Sequence, residues 1–571
     1  MKRPCLRSIL LLAGFFLWVS TTAATEVPSQ PNHPPVRARH VMVASDQALS
    51  TRIGVDILRQ GGNAVDAAIA VGYALAVTLP TAGNLGGGGF MVIHDAGSGR
   101  DTTIDFREMA PASATRDMFL DARGNADPEL SRHHPRAVGV PGTVAGFDYA
   151  LRHYGRLPLA TLLAPAIRLA NEGFPVGAEL ARQLDLQQKH LAPWPATRAI
   201  FFRDGRPLRE GERLVQKDLA RSLQLIARHG PAAFYRGEIA RRIAAEMKTQ
   251  GGRLGLEDLA RYRVVERTPV SGNYRGYHIV SMPPPSSGGT HIIELLNILE
   301  RYPLRAQGAD SPQRQHLLAE AMKLAFADRA EYLGDPDFVS VPVRGLTSRA
   351  YADAQAARID PDHATPASAI APGKPLPYES SQTTHYAVVD AVGNAVSTTY
   401  TLNLNFGSGI VATGTGILLN NEMDDFSAKP GTPNAFKLVG GEANAIAPGK
   451  RPLSSMSPTI VFRAGKPWLI TGAAGGSRII STVLQNIVNA IDLDLGPAAS
   501  VAMPRIHHQW QPDILRTEPG LSAVTQTGLQ QRGHVIAPED VVARTQIIQA
   551  TDEGWEGSSD TRQPDSLTAG Y

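Results

Sequence analysis

The residues with the most chemical promise lie around position 383. The run Ser380-Ser381-Gln382-Thr383-Thr384-His385-Tyr386 joins a segment rich in proline and serine to an alternating apolar stretch that starts at Tyr386. A threonine hydroxyl attacks a carbonyl only with a base beside it, and a threonine that begins a chain carries that base in its own α-amine. Thr383 would gain such an amine by scission of the Gln382–Thr383 bond. Read alone, the run is more simply the start of a threonine-rich strand. Other groups complete a different picture. Gly475-Gly476-Ser477 lies between the apolar run 468–471 and a helical pattern at Ile480, Val483, Leu484, Ile487, Val488 and Ile491. Amides exposed at a helix start stabilise negative charge on an oxygen, and a glycine pair lets a substrate approach them. Ser454 and Ser455, in a loop before a strand, offer hydroxyls for a carboxylate. Arg107, in Asp105-Phe106-Arg107-Glu108, offers a two-point grip on one. Asn420-Asn421-Glu422-Met423-Asp424-Asp425 supplies carboxylates and amides suited to an ammonium group. Each has a plainer reading as a tight turn, a capped loop, a structural ion pair or a solvated acidic loop. Jointly they describe a pocket that grips an amino-acid zwitterion and attacks a carbonyl further along it.

The elements that must position these groups follow from periodicity and punctuation. Residues 41–45 read as a strand, and 51–59 as a helix closed by Gly61-Gly62. Asn63 is placed to cap a second helix over 64–79, stopped by Pro80; being apolar on most faces, it should be buried. Gly86 to Gly89 lead into a strand at 90–94. A helix before and a strand after is the reverse of a dinucleotide loop, so close backbone packing explains these glycines better. Helices are expected at 159–171, 291–299 and 311–333. Residues 364–381, rich in Ala, Pro and Ser, suit a flexible tail beside a processing site. Beyond 383, strands are expected at 386–389, 395–402, 416–419, 458–462 and 468–471, with a helix at 479–491. Strands backed by helices imply sheets packed between helical layers.

At 571 residues, with 43% hydrophobic and 19% charged residues, the chain can bury a large core. A net charge of +3 without a Lys/Arg-rich run argues against nucleic acid as a partner. Lys2, Arg3 and Arg7, an apolar run at 9–19 and Thr22-Ala23-Ala24 read as a signal peptide over 1–24, with the apolar run short for a membrane span. The single cysteine, Cys5, would leave with it. Export without disulfides suits a periplasmic or secreted bacterial enzyme with no stable membrane anchor. There is no His-Glu-x-x-His motif, phosphate-binding loop or Gly-x-Ser-x-Gly turn, and His133-His134 and His507-His508 read as surface or packing residues.

From about residue 41 to 571 the chain resembles bacterial γ-glutamyltransferases (γ-glutamyltranspeptidases), members of the N-terminal-nucleophile hydrolases. The resemblance rests on Gln382-Thr383-Thr384-His385-Tyr386, Tyr400-Thr401-Leu402-Asn403, Leu419 to Phe426, Arg451 to Pro458, Gly475-Gly476-Ser477-Arg478 and Leu567 to Tyr571. Gly61 to Ala68, Asn84 to Phe90 and Asp105 to Glu108 fit as well. It implies an α+β fold, a four-layer αββα sandwich, and a precursor that cuts itself before Thr383. A large subunit (25–382) and a small subunit (383–571) would remain together as a heterodimer. Thr383 would be the nucleophile, its α-amine the general base, and Thr401 the group that positions that amine. The Gly475 and Gly476 amides would form the oxyanion hole. Arg107, Ser454 and Ser455 would hold the substrate α-carboxylate; Asn403, Glu422 and Asp425 its α-amino group. Glutathione is the implied donor, water, amino acids or dipeptides the acceptors, with no metal or organic cofactor. Two departures stand out: Glu422 where some bacterial relatives have glutamine, and Phe436 in a lid-like loop (430–441) where well-known relatives have a tyrosine that closes the site through its hydroxyl. Phe436 lacks that hydroxyl, so weaker closure is expected. The rival readings are an acylase of the same family acting on glutaryl-type β-lactam side chains, and an inert periplasmic protein that binds γ-glutamyl compounds.

Overall fold

The computed structural model describes residues 34–375 and 385–571. The expected signal peptide and the Gln382–Thr383 bond lie outside these residues. The strands that build the sandwich are, in chain order, β1 (Val36–Ala38), β2 (Met42–Ser45), β3 (Gly88–Asp95), β4 (Arg100–Phe106), β5 (Val265–Arg267), β6 (Val270–Tyr274), β7 (Tyr277–Ser281), β8 (Tyr386–Val389), β9 (Ala395–Thr401), β10 (Thr459–Arg463), β11 (Lys466–Ala474), β12 (Arg544–Thr551), β13 (Gly554–Ser559) and β14 (Leu567–Gly570). They form two seven-stranded antiparallel sheets, ordered β14-β2-β8-β9-β3-β4-β5 and β1-β13-β12-β11-β10-β7-β6.

Alternation along the central strands explains why both sheet faces are buried. In β3, Phe90 and Val92 point into the layer between the sheets, and Met91 and Ile93 point outward to the helices. In β8, Ala387 and Val389 face inward, Tyr386 and Val388 outward. Such strands read as continuous apolar runs because each successive side chain enters a different core. The outer face of the first sheet is covered by α1 (Ala48–Arg59) and α2 (Ala64–Thr78); that of the second by α3 (Gly288–Leu299), α4 (Pro312–Tyr332) and α5 (Arg478–Asp492). The result is the expected αββα sandwich.

Every residue of α2 is buried. Asn63 accepts bonds from the Val65 and Asp66 amides while Asp66 accepts one from the Asn63 amide, a reciprocal cap worth about 1 kcal/mol. Asp390, just past β8, accepts from the Ala64 amide at 3.0 Å and so ties this helix to the strand that follows position 383. The glycines at 86–89 are required by close approach: a Cβ on Gly87 would lie 2.0 Å from the Thr401 carbonyl oxygen.

Several elements differ from the periodicity reading. The first helix starts at Ala48, because the Gln47 side chain caps it from the Leu49 amide. The helix expected at 291–299 starts at Gly288, and the strand expected at 416–419 shrinks to Ile417–Leu418. The strand expected at 468–471 extends to Ala474, which delivers the next residue, Gly475, straight from the sheet edge. The flexible tail expected from 364 is corrected for its described part. Lys323 Nζ donates to the Thr365 carbonyl at 2.9 Å, Trp510 Nε1 to that of Ala367 at 2.9 Å, and Tyr332 Oη to that of Gly373 at 2.6 Å. Composition shows no helix or strand there, yet these side chains strap residues 365–373 to the body. Residues 376–381 lie outside the described part.

Candidate active site

A cavity of about 610 Å³ opens where β9 ends at Thr401 and β11 ends at Ala474. Strand β8 begins at Tyr386, opposite Thr398 of β9, so its N-terminal end faces the same end of β9 as Thr401. Thr401, Asn403, Glu422, Asp425, Phe436, Ser454, Ser455, Gly475 and Gly476 all line this one cavity. Nine of the ten described residues expected at the site are thus brought together from five separate stretches of chain. The tenth, Arg107, is completely buried behind them. The expected nucleophile, Thr383, lies outside the described residues.

Backbone geometry places the wall on the Thr401 side. The Thr401 hydroxyl accepts from the Asn403 amide at 2.8 Å, and Asn403 takes a left-handed conformation with φ 77°. Its side-chain amide donates to the Asn421 carbonyl at 3.0 Å, joining this turn to the 3-10 turn Glu422–Asp425. Gly475 (φ 151°) and Gly476 (φ 61°) occupy conformations that L side chains avoid. They line the cavity between the end of β11 and the start of α5, where the first helical amides have no partner within the helix.

Arg107 is placed differently from a residue waiting for a carboxylate. Its terminal nitrogens pair with Glu422 and, at 2.7 Å, with Asp425, while Nε donates to the Pro452 carbonyl at 3.2 Å. Burial favours the neutral form of each carboxyl, so Glu422 and Asp425 titrate above the ordinary carboxylate range even beside the guanidinium. Arg107 keeps its proton more firmly than usual: burial opposes its charge, and Glu422, Glu108 and Asp425 outweigh that.

Arg329, on α4, was not singled out from the sequence. It lines the cavity, and its guanidinium donates to Ser287 Oγ at 3.0 Å, the Ser454 carbonyl at 3.4 Å and Ser455 Oγ at 3.3 Å. It therefore braces the two serines expected at the α-carboxylate, although burial lowers its own affinity for a proton to about 10. One arginine in a long helix carries no local signal for this role; only the fold brings it beneath residue 454.

The loop 430–441 is seated over the cavity. The Phe436 ring lies directly on Gly476, where a Cβ would meet ring Cδ1 at 2.3 Å. The loop is held through its backbone: Gln509 Nε2 donates to the Phe436 carbonyl at 3.1 Å, and the Ala435 amide donates to Asp424 at 2.9 Å. Gln509 is itself held by the Ser477 hydroxyl at 2.8 Å. The loop is thus held by ring packing and main-chain anchors, neither of which needs a hydroxyl at 436. His133, expected to be a surface or packing residue, stacks on His190 with 3.9 Å between ring centroids, and both line the cavity.

Among the described residues, one group has ligand atoms spaced for a metal: His316, Glu320 and His534, within 4.8 Å of one another. His316 Nε2 bonds the Asp360 carbonyl, Nδ1 bonds His534, and Lys323 Nζ sits 2.7 Å from Glu320. The ammonium of Lys323 already supplies the positive charge at that carboxylate, so the cluster reads as an internal support beneath the 365–373 strap.

Two facing antiparallel sheets between helical layers, with a glycine pair and Thr401 at one cavity, define an N-terminal-nucleophile hydrolase. Within that class, the Gamma-glutamyltranspeptidase family model matches residues 50–570, and the chain belongs to that family. It is 57% identical over 539 residues to a glutathione hydrolase proenzyme of Escherichia coli (strain K12), covering 94% of this chain and 93% of that protein. Its structure is similar to the crystal structure of a cephalosporin acylase from Bacillus halodurans, with TM-score 0.85, 32% identity and coverage of 96% and 98% of the two chains. It also resembles γ-glutamyltranspeptidase from Helicobacter pylori, with TM-score 0.57 and 46% identity over 60% of this chain and 97% of that one.

Proposed function

We propose that the protein is a self-processing γ-glutamyltransferase that also hydrolyses glutathione. The observation that carries the reading is the convergence of Thr401, the Gly475–Gly476 pair and the acidic residues Glu422 and Asp425 on one cavity, at the end of β9 faced by the start of β8. In the precursor, Thr383 Oγ attacks the carbonyl carbon of Gln382; the C–N bond breaks, an ester forms and the α-amine is freed. Water then cleaves the ester, leaving chains 25–382 and 383–571 as a heterodimer. In turnover the free amine, oriented by Thr401, takes the Oγ proton as Oγ attacks the γ-carbonyl of the donor. The Gly475 and Gly476 amides stabilise the oxyanion. Collapse breaks the γ-amide bond, and the leaving amine carries the proton away. Water or the amine of an amino acid or dipeptide then attacks the γ-glutamyl ester and restores Thr383.

Ser454 and Ser455, braced by Arg329, hold the donor α-carboxylate with Arg107 behind them; Asn403, Glu422 and Asp425 hold its α-ammonium group. The acylase reading has a similar fold behind it, but a glutaryl donor has no cation for Glu422 and Asp425. Among the described residues no helix is long and apolar enough to cross a membrane; with the N-terminal signal pattern, the periplasm is the proposed location. A γ-glutamyl anilide assayed beside the corresponding glutaryl anilide tests the function. Turnover of the first only is expected; preference for the second, or no turnover of either, would overturn the reading.

A further inference from the structure

The charges around Arg107 do not balance. Glu422 and Asp425 pair with it directly, and Glu108 lies 3.6 Å from Nη1. Arg329, from α4, lines the same cavity as Asp425. The charges on neighbouring elements are matched among themselves: Arg451, Arg267 and Lys450 by Asp105, Asp337 and Asp335, which accepts from the Arg451 amide, and Arg132 by Asp424. Tyr262 and Tyr235 bring only neutral hydroxyls, bonded to the Arg107 and Pro141 carbonyls. Two buried cations, Arg107 and Arg329, thus face three buried carboxyls, Glu108, Glu422 and Asp425.

Hydrogen bonding locates the surplus. Glu108 is fully buried, and neither of its oxygens has a hydrogen-bond partner of ordinary geometry; Oε2 of Glu422 has none either. Both carboxyl groups lie against the same nitrogen, Arg107 Nη1, Glu108 Oε2 at 3.6 Å and Glu422 through its Oε1. Two carboxylates have nothing to donate to one another, whereas a carboxylic acid donates well to a carboxylate. We propose that Glu108 and Glu422 share one proton in the empty site, and that a donor's α-ammonium group, seating against Glu422 and Asp425, expels it to solvent.

This rests on the donor-site reading given above and adds a proton to it. The bound ammonium brings a positive charge and N–H donors to the oxygens the proton had satisfied. The acid proton leaves as H⁺, so charge is conserved and no covalent bond other than its O–H changes. Burial raises both Glu108 and Glu422 above the ordinary carboxylate range, the direction that favours a retained proton. A donor without an α-amino group leaves the proton in place. Glu108, which does not line the cavity, is therefore a positioning residue that acts through Glu422.

The test is calorimetry of the processed heterodimer with L-glutamate and with glutarate at pH 6.5, in two buffers of different ionisation enthalpy. L-glutamate is expected to release about one proton and glutarate none. In the wild type, affinity for L-glutamate should fall about tenfold for each pH unit below the midpoint. In Glu108→Gln the release should vanish and the affinity should change less than about twofold per unit, well below that one-proton slope. In the infrared, the C=O stretch of a protonated carboxyl should be present in the free wild type, disappear with L-glutamate and be missing from Glu108→Gln. Wild-type binding without proton release, or unchanged release in Glu108→Gln, would overturn the proposal while leaving γ-glutamyl transfer standing. Should Glu108→Gln fail to fold and cut itself, the wild-type proton count and infrared band decide. Absence of any L-glutamate binding, together with no turnover of the anilide, would overturn both.

Discussion

Arg107 has all of its side-chain nitrogens engaged, and that determines what its replacement should do. Lysine keeps the charge but offers a single point where the guanidinium bridges Glu422, Asp425 and the Pro452 carbonyl. Arg107→Lys should raise KM for γ-glutamyl donors by the worth of a hydrogen bond to a charged group, about 1.5–3 kcal/mol. Self-cleavage should persist, since that step uses no free glutamyl group. Titrating both steps in one preparation checks this; equal loss of both would make Arg107 structural. At this scale the sequence conveyed residue types well and pairings badly. Arg107, Glu422 and Asp425 were all picked out, but their mutual ion pairs join positions more than 300 residues apart. Arg329 and Gln509 have nothing in their neighbours along the chain to set them apart.

The lid illustrates what an element adds. Tyrosine at 436 would contribute a hydroxyl, but the loop is held by the Phe436 ring on Gly476 and by Gln509 on the Phe436 carbonyl. A closed lid keeps water from the glutamyl ester and favours a bound amine. Gln509→Ala removes a bond of about 0.5–1.5 kcal/mol, which moves an open–closed equilibrium about two- to tenfold. It should raise free glutamate relative to γ-glutamyl-dipeptide at fixed glycylglycine. Phe436→Tyr, by adding a hydroxyl to a ring already in place, should move the ratio the other way by no more than that. The product ratio measures both; unchanged ratios with unchanged donor KM would mean the loop does not gate the ester. Gln509 depends in turn on His507, whose Nε2 lies 2.9 Å from Gln509 Oε1 and whose Nδ1 lies 2.8 Å from Ser481 Oγ. Burial holds His507 at about 3, far below the usual 6.5 for histidine. The unfolded chain therefore binds the proton first, and this group's stabilisation, fully present above 6.5, is lost as pH falls toward 3. The wild type should lose up to about 1.4 kcal/mol per pH unit through this residue. His507→Gln should lose correspondingly less between pH 6.5 and 4, read from urea midpoints. Alternating strands and capped helices such as Asn63–Asp66 were legible because their signals are local. The longer reach of β11 and the strap at 365–373 were not, because sheet pairing and side chains from α4 decide them.

Across the whole molecule, the sandwich brings the ends of two sheets together, so a cavity forms where β9 and β11 stop and β8 begins. That arrangement suits the proposed precursor, cut just ahead of an interior strand: β8 is locked between β2 and β9, and the two products of a cut would remain interleaved in one sheet. The account therefore turns on the bond before Thr383. Intact-mass measurement and N-terminal sequencing of the purified wild type and of Thr383→Ala test it most directly, with γ-glutamyl anilide turnover assayed on the same samples. The wild type should yield two chains, one beginning at Thr383, and be active; Thr383→Ala should remain one uncut, inactive chain. A wild type that works uncut, or an alanine variant that still yields a chain beginning at 383, would contradict it.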